Sequence, residues 1–359
     1  MGGEVPLTTN SRKRTTLEDS VRLEGDAVLL LDRRVFPERE EWVRAETPAA
    51  VAAAVRDMVT QSSGPLFAAY AGLELAARQS RGLPLDEATA ALQHAARLLG
   101  EARPTNAHPR EAAARVLEAA AGARTTADLV ELVAQAAADG SREYRALSRA
   151  LGRHTVELLP DGARILTHCW MDTYLVEMIH AADEAGRHYD WVATETRPYL
   201  QGARLTAHTL VELGQHVTLI TDGMGAAALA PGASIGPIDA LVTAADRVAL
   251  DGSVVNKIGT LGLAVAAAAF EVPFYALVQA PDRTAATGAD IVIEERDPRD
   301  VLETLGRRTA SPLVTTAWYP AFDVTPPRFV SRVVTSRGSY APADLAHHFD
   351  STPVPRLER

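Results

Sequence analysis

The sequence holds one cysteine, Cys169, among 359 residues. No intrachain disulfide can form, so a small disulfide-held scaffold is excluded, and a reducing compartment fits. Positive charge is also short. There are 36 Lys and Arg against 46 Asp and Glu, a formal charge of −10. That balance excludes a general polyanion binder, which needs a basic footprint. It leaves room for a local basic pocket that takes a single phosphate. No run approaches the roughly 18 apolar residues of a membrane helix. Met1 to Arg14 lacks the apolar stretch of a secretory signal. No fixed-period repeat is present. A cytoplasmic chain is expected, with neither nucleic acid nor membrane as partner. What is present is 47% apolar and 23% charged residues, a composition that buries a sizeable core and is not disordered. The length allows about two domains.

The pattern divides near residue 155. Residues 1–20 read as a polar, flexible leader and 346–359 as a tail. Over 21–154 the reading is mainly helical, after a strand-like run Ala27-Val-Leu-Leu-Leu31. Thr47-Pro48 starts one helix, with Pro in the first turn. Leu85 to Leu99 forms another, with Ala88, Leu92, Ala95 and Leu99 on one face and a stop at Gly100. A third opens at Thr125, where Asp128 completes a capping box, and is expected to end at Gly140. Over 155–345, β-type runs alternate with helical ones. The expected strands are Arg164–Thr167, Trp191–Thr194, Val217–Thr221, Ala240–Thr243, Pro273–Val278, Ile291–Ile293 and Leu313–Thr316. Such alternation implies βαβ units and a mostly parallel sheet. The fold class is therefore α/β: a helical N-terminal domain followed by a Rossmann-like domain.

In such sheets ligands sit beyond the carboxyl ends of the strands. That singles out His168-Cys169, Glu195, Asp222, Asp246 and Gln279. Cys169 as a catalyst would need its thiol pKa lowered, by a helix N-terminus or a cation; otherwise it is a small buried hydrophobe. Asp246, partly desolvated, could act as a general acid; the plainer reading is a surface pair with Arg247. Asn256-Lys257-Ile-Gly259-Thr260 offers an amide, a cation and a turn entering a helix, a pattern suited to an anion; the alternative is a solvated loop. Glu195-Thr-Arg-Pro to Ala207 is a polar loop suited to ligand contact. Gly223-Met-Gly225-Ala-Ala-Ala228 matches a dinucleotide fingerprint, but turn geometry explains most such matches.

Taken together, these strings resemble the methylthioribose-1-phosphate isomerase family. That family is related to the regulatory subunits of the nucleotide-exchange factor for translation initiation factor two, and to ribose-1,5-bisphosphate isomerases. The stretches are Leu30-Leu-Asp32 to Phe36-Pro37, Arg103-Pro-Thr105, Leu159-Pro to Thr167-His-Cys169 and Glu195 to Ala207. Further on come Ile220-Thr-Asp222, Ala245-Asp-Arg247, Asn256 to Thr260, Pro273-Phe-Tyr275, Ile293-Glu-Glu-Arg296 and Pro320 to Pro326. The resemblance implies a homodimer and an aldose–ketose isomerisation of a five-carbon sugar 1-phosphate in methionine salvage, without metal or redox cofactor. It implies Asp246 as the acid and Cys169 as its partner at the reacting carbons. It implies Ser62, Ser63, Gly64, Arg103, Gln201, Asn256 and Lys257 as substrate and phosphate contacts.

Two loops depart from that family. Where the family has Arg-Gly-Ala-Pro, this chain has Ser62-Ser-Gly-Pro65, without the arginine. Where the family follows its cysteine with Asn, a small residue and Gly, this chain has Trp170-Met171-Asp172. A new carboxylate beside a phosphate site would repel the phosphate. These changes raise two alternatives: a different 5-modified ribose 1-phosphate, or a catalytically weakened paralogue that binds a sugar phosphate or nucleotide as a sensor.

Overall fold

The computed structural model describes residues 14–103 and 106–350. The leader's first thirteen residues, the tail from 351 on, and Pro104-Thr105 lie outside the described residues. From Thr15 the chain is held: Leu17 is buried, and the Thr16 hydroxyl donates to Glu212 at 2.6 Å. Three antiparallel strands come first, β1 (Val21–Glu24), β2 (Ala27–Leu31) and β3 (Trp42–Ala45). Five helices follow: α1 (Pro48–Arg56), α2 (Gly64–Gln79), α3 (Leu85–Gly100), α4 (His108–Ala120) and α5 (Thr126–Glu157). The Thr47 hydroxyl caps α1 by accepting from the Ala50 amide. The expected face of α3 is buried throughout.

Helix α5 does not stop at Gly140. It runs for 32 residues. Gly140 is there for close approach and not for termination: a Cβ would stand 2.1 Å from the Tyr70 hydroxyl. Gly152, further along α5, does the same against α6 (Thr173–Glu184), where a Cβ would lie 2.8 Å from the Glu177 carbonyl. Gly140, which reads locally as a helix stop, and Gly152 are both contact points between helices.

The second half alternates β4 (Arg164–Thr167), α6 (Thr173–Glu184), β5 (Asp190–Thr194), α7 (Ala207–Glu212), β6 (His216–Ile220), α8 (Gly225–Leu229) and β7 (Ala240–Ala244). Then come β8 (Arg247–Val248), β9 (Val254–Lys257), α9 (Thr260–Ala269), β10 (Phe274–Leu277), α10 (Arg299–Leu302), β11 (Glu303–Thr304), β12 (Arg307–Arg308), β13 (Phe322–Thr325), β14 (Arg332–Thr335) and β15 (Gly338–Tyr340). The main sheet is ordered β15-β14-β10-β7-β4-β5-β6, parallel except for β15. Its six parallel strands, numbered along the chain, stand 3-2-1-4-5-6 across the sheet. That is a doubly wound order whose winding reverses between β4 and β7. A small antiparallel sheet, β13-β9-β8, stands beside it.

Two expected strands are absent. Residues 291–293 and 313–316 are irregular, with Val292 and Leu313 about nine-tenths exposed, at 89% and 91%. The 313–316 run has nothing to pack on, and packing is what makes such residues strand formers; Ile291 and Ile293 do pack, beside Ala249, Val255 and Ala285, but without forming a ladder. The sixth parallel strand is β14 instead. One apolar cluster runs from Leu17 through the helices to Ile165, Trp191 and Val334, so the helices and the sheet share a core.

Candidate active site

The ends of β4 and β7 are neighbours at the reversal point, where an open α/β sheet forms a crevice. Cys169 lies two residues past β4, and Asp246 two residues past β7. His168 is structural: one ring nitrogen meets the Thr194 hydroxyl at 2.6 Å and the other the Ile258 carbonyl at 2.9 Å. Cys169 itself has φ of 67°, its amide donates to the Thr196 hydroxyl at 2.9 Å, and its carbonyl accepts from Thr206. Burial pushes the thiol pKa up to about 11, while the Lys257 ammonium pulls the other way. The lowered thiol pKa expected of a catalytic cysteine is therefore not found; desolvation outweighs the cation.

Asp246 does not pair with Arg247, which turns to Asp282 with Nε 2.5 Å from its carboxylate. Its amide donates to the Val255 carbonyl at 3.0 Å. The side chain is reached by solvent, yet the surrounding protein raises its pKa by desolvation. A group both accessible and desolvated lies in a recess. Lys257, Arg103 and Arg296 oppose the shift. Lys257 ends β9; its Nζ donates to the Ala321 carbonyl at 3.0 Å and sits 4.1 Å from the centre of the Phe322 ring. Burial and then Arg296 lower its pKa to about 8. Burial and Arg296 likewise hold Arg103 below the ordinary arginine value.

Arg296 is a residue to which the sequence reading gave no role. Its Nε donates to Glu294 at 2.9 Å, and its guanidinium lies 5.7 Å from the Phe322 ring, on which Lys257 also sits. Its Nη2 is buried without a partner among the described residues. The string Ile293-Glu-Glu-Arg296 was the available signal.

The turn entering α9 is not a free anion site. Gly259 takes φ of 108°, and the Gly259 and Leu261 amides donate to the Asp323 carboxylate at 2.7 and 3.1 Å. An anion at this place must use the side chains. Asn256, also buried, donates to the Thr260 hydroxyl at 3.0 Å.

The loop that lacks the family's arginine has a buried cation after all. Arg33 is 1% exposed and donates to the Gln61 carbonyl at 2.9 Å, the Ser20 hydroxyl at 2.8 Å and the Asp172 carboxylate at 3.2 Å. Asp172 faces inward, and it also accepts from the Ser63 amide at 3.2 Å. The feared repulsion is thus cancelled within the protein. Ser62, with φ of 55°, directs its hydroxyl toward the Trp170 carbonyl at 3.5 Å; Ser63 bonds Thr173 at 3.0 Å. Gly64 opens α2 with no space for a side chain, since a Cβ would lie 1.9 Å from the Thr60 hydroxyl. Gln201 is buried against this loop, its Nε2 3.4 Å from Gln61 Oε1.

The structure thus brings Cys169, Asp246, Arg103 and Lys257 into one mutual electrostatic field, with Asn256 beside Lys257 on β9. Ser62, Ser63, Gly64 and Gln201 gather in a second group around Gln61 and Asp172. The Gly223–Ala228 motif lies elsewhere, after the edge strand β6. There Asp222 accepts from the Thr196 and Arg197 amides, and α8 spans five residues. Among the described residues no group of three or more His, Cys, Asp or Glu converges as a metal site would, and no helix is long and apolar enough to cross a membrane.

A model described as the Initiation factor 2 subunit family matches residues 62–342. A methylthioribose-1-phosphate isomerase of Pelotomaculum thermopropionicum is 39% identical, over 90% of this chain and 91% of its own. One from Anaeromyxobacter sp. (strain K) is 40% identical, over 92% and 95%. The crystal structure of 5-methylthioribose 1-phosphate isomerase from Pyrococcus horikoshii OT3 superposes with a TM-score of 0.83 at 29% identity, over 92% of this chain and 94% of that one. That of translation initiation factor eIF-2B, subunit delta, from A. fulgidus gives 0.79 at 31% identity, over 90% and 96%. Fold and relatives therefore define an α/β isomerase with the architecture of the Initiation factor 2 subunit family. Within it, the chain belongs to the methylthioribose-1-phosphate isomerase family.

Proposed function

We propose that the protein converts a 5-substituted ribose 1-phosphate, with 5-methylthioribose 1-phosphate as the reference substrate, to the corresponding ribulose 1-phosphate. The substrate is a phosphorylated acetal and cannot open unaided. Asp246 gives a proton to the ring oxygen as the C1–oxygen bond breaks. Cys169 takes the proton from C2 through its thiolate, a minor form in the free site where burial lifts the thiol pKa to about 11, and a proton returns to C1 as the C2 hydroxyl becomes the ketone. Oxidation at C2 balances reduction at C1, so no external electron carrier is consumed. Arg103, Lys257 and Arg296 hold the phosphate, with Asn256 beside it; Gln201 and the Ser62–Gly64 turn hold the sugar. The active form is a cytoplasmic homodimer, each chain built of domains over 21–154 and 155–345.

The observation that carries this reading is the placement of Cys169 and Asp246 at adjoining strand ends, each within the field of Lys257. The relatives' shared name supplies the reference substrate. The weakened-paralogue reading rests on Ser62, where the family has arginine. Incubation with 5-methylthioribose 1-phosphate and ribose 1-phosphate, followed by NMR, is expected to show ketose. Binding without turnover of any pentose 1-phosphate would instead favour the sensor.

Lys257 gives a pH signature. Its pKa in the free site is about 8, and a phosphate dianion beside it raises that value. Binding therefore takes up a proton above pH 8. Affinity for ribose 1-phosphate is expected to fall with rising pH there, by up to about tenfold per unit. Calorimetry in two buffers of different ionisation heat reads the uptake. Lys257→Met should bind more weakly and show a flat profile; an unchanged profile would remove Lys257 from the phosphate site.

A further inference from the structure

Gln61 and Gln201 are both more than nine-tenths buried, at 5% and 2% exposure. A single hydrogen bond joins them, Gln201 Nε2 to Gln61 Oε1 at 3.4 Å. That leaves Gln61 Nε2 and Gln201 Oε1 buried without partners among the described residues. A buried amide hydrogen or carbonyl left unpaired is costly, so such groups are rare without a reason. Here the leftovers are complementary: one donor and one acceptor, on two amides already in contact.

The surroundings locate the pair. Gln201 directly precedes the turn Gly202–Thr206, whose Thr206 hydroxyl donates to the Cys169 carbonyl. Gln61 directly precedes Ser62, whose hydroxyl faces the Trp170 carbonyl. The amides therefore lie between the cysteine loop and the serine loop. Gln61 is not free to turn away at its backbone, because Arg33 binds its carbonyl at 2.9 Å and the Gly64 amide binds the same oxygen at 2.9 Å. Arg33 is in turn fixed by Asp172.

We propose that Gln61 is a specificity-determining residue that reads one secondary hydroxyl of the sugar together with Gln201. The Gln61 amide donates to the hydroxyl oxygen, and the same hydroxyl donates to Gln201 Oε1. A hydroxyl is the group that satisfies both in one contact; an ether, a thioether or a hydrogen at that carbon satisfies one of them or neither. A site built this way rejects a sugar lacking the hydroxyl more strongly than an apolar pocket rejects a missing methylene, because both amides are then stranded. The inference rests on the sugar-phosphate reading above and goes beyond it by naming a residue and the group it selects.

The test compares ribose 1-phosphate with its 2-deoxy and 3-deoxy analogues by calorimetry, on wild type, Gln61→Met and Gln61→Glu. Inorganic phosphate serves as the control ligand for an intact phosphate site. The wild type is expected to bind one deoxy analogue about tenfold to a hundredfold more weakly than ribose 1-phosphate. Gln61→Met should lose that preference while binding inorganic phosphate as before. Gln61→Glu keeps the shape but loses the donor, and should lose the preference too. Undiminished discrimination in both variants would overturn the role of Gln61 and leave the sugar-phosphate reading standing. Equal binding of all three sugars by the wild type would do the same, and would mean that a retained water serves the pair. Binding of inorganic phosphate but of no pentose 1-phosphate would overturn the sugar reading and the pair with it.

Discussion

Asp246→Asn is expected to lower kcat by about a hundredfold to ten-thousandfold, with KM changed little, because a positioned general acid contributes on that scale. The amide matches the carboxyl in shape but has no acidic proton to transfer. The reaction cannot bypass this step, since a phosphorylated acetal opens only if its ring oxygen is protonated. The environment suits the role: desolvation raises the Asp246 pKa, so a larger share stays protonated near neutrality than for an ordinary aspartate. The sign follows. Activity that needs the protonated form is present below the raised pKa and is lost as pH rises through it. Binding should survive, because the substitution removes a negative charge from beside Arg103, Lys257 and Arg296. It should also lower the Lys257 pKa further, since Asp246 is one of the groups holding it up. Turnover by NMR beside calorimetric binding checks both parts. An Asn variant that turns over at the wild-type rate would end the assignment of Asp246.

The sequence made the sheet half readable because buried parallel strands are short apolar runs with a clear period. Strands β4, β5 and β7 fall where expected, and strand ends are where α/β chemistry sits, so Cys169 and Asp246 stood out. Other features have no local signature. Gly140 looks like a helix stop until Tyr70 is seen against it. Residues 313–316 look like a strand until they are found in solvent, and 291–293 until Ile291 and Ile293 are seen to pack without a ladder. The Asp323 carboxylate that fills the start of α9 comes from 62 residues further on. Arg33, Gln61 and Arg296 are polar residues in unremarkable local contexts, and tertiary contact alone gives them meaning. Whether the Cys169 pKa is lowered could not be read locally, because burial, which opposes the thiolate and raises it, is a property of the whole fold.

Arg33→Met is expected to destabilise the protein by about 3–5 kcal/mol, the usual cost of removing one partner from a buried ion pair. The Asp172 carboxylate would then remain buried with the Ser63 amide at 3.2 Å as its remaining described hydrogen bond. Two more groups lose a donor, the Gln61 carbonyl and the Ser20 hydroxyl. Asp172→Asn should cost less, because its side-chain oxygen can still accept from Ser63. In the double variant no unpaired carboxylate is left, so its loss should be smaller than the sum of the two single losses by about 2 kcal/mol or more. Urea unfolding of the four proteins gives that coupling directly, and strict additivity would show that the pair is not a functional unit. The family's glycine position explains why Asp172 needs such support: its φ of 50° and ψ of −126° favour glycine. A carboxylate at this strained position holds Ser63 and Arg33, and through Arg33 the Gln61 backbone. Loss of the pair should therefore slacken both loops around Cys169, and kcat should fall in the single variants alongside stability. The pair also confines its charge. Arg33 and Asp172 cancel at 3.2 Å, so a bound phosphate is left to the cations near Asp246: Arg103, Lys257 and Arg296.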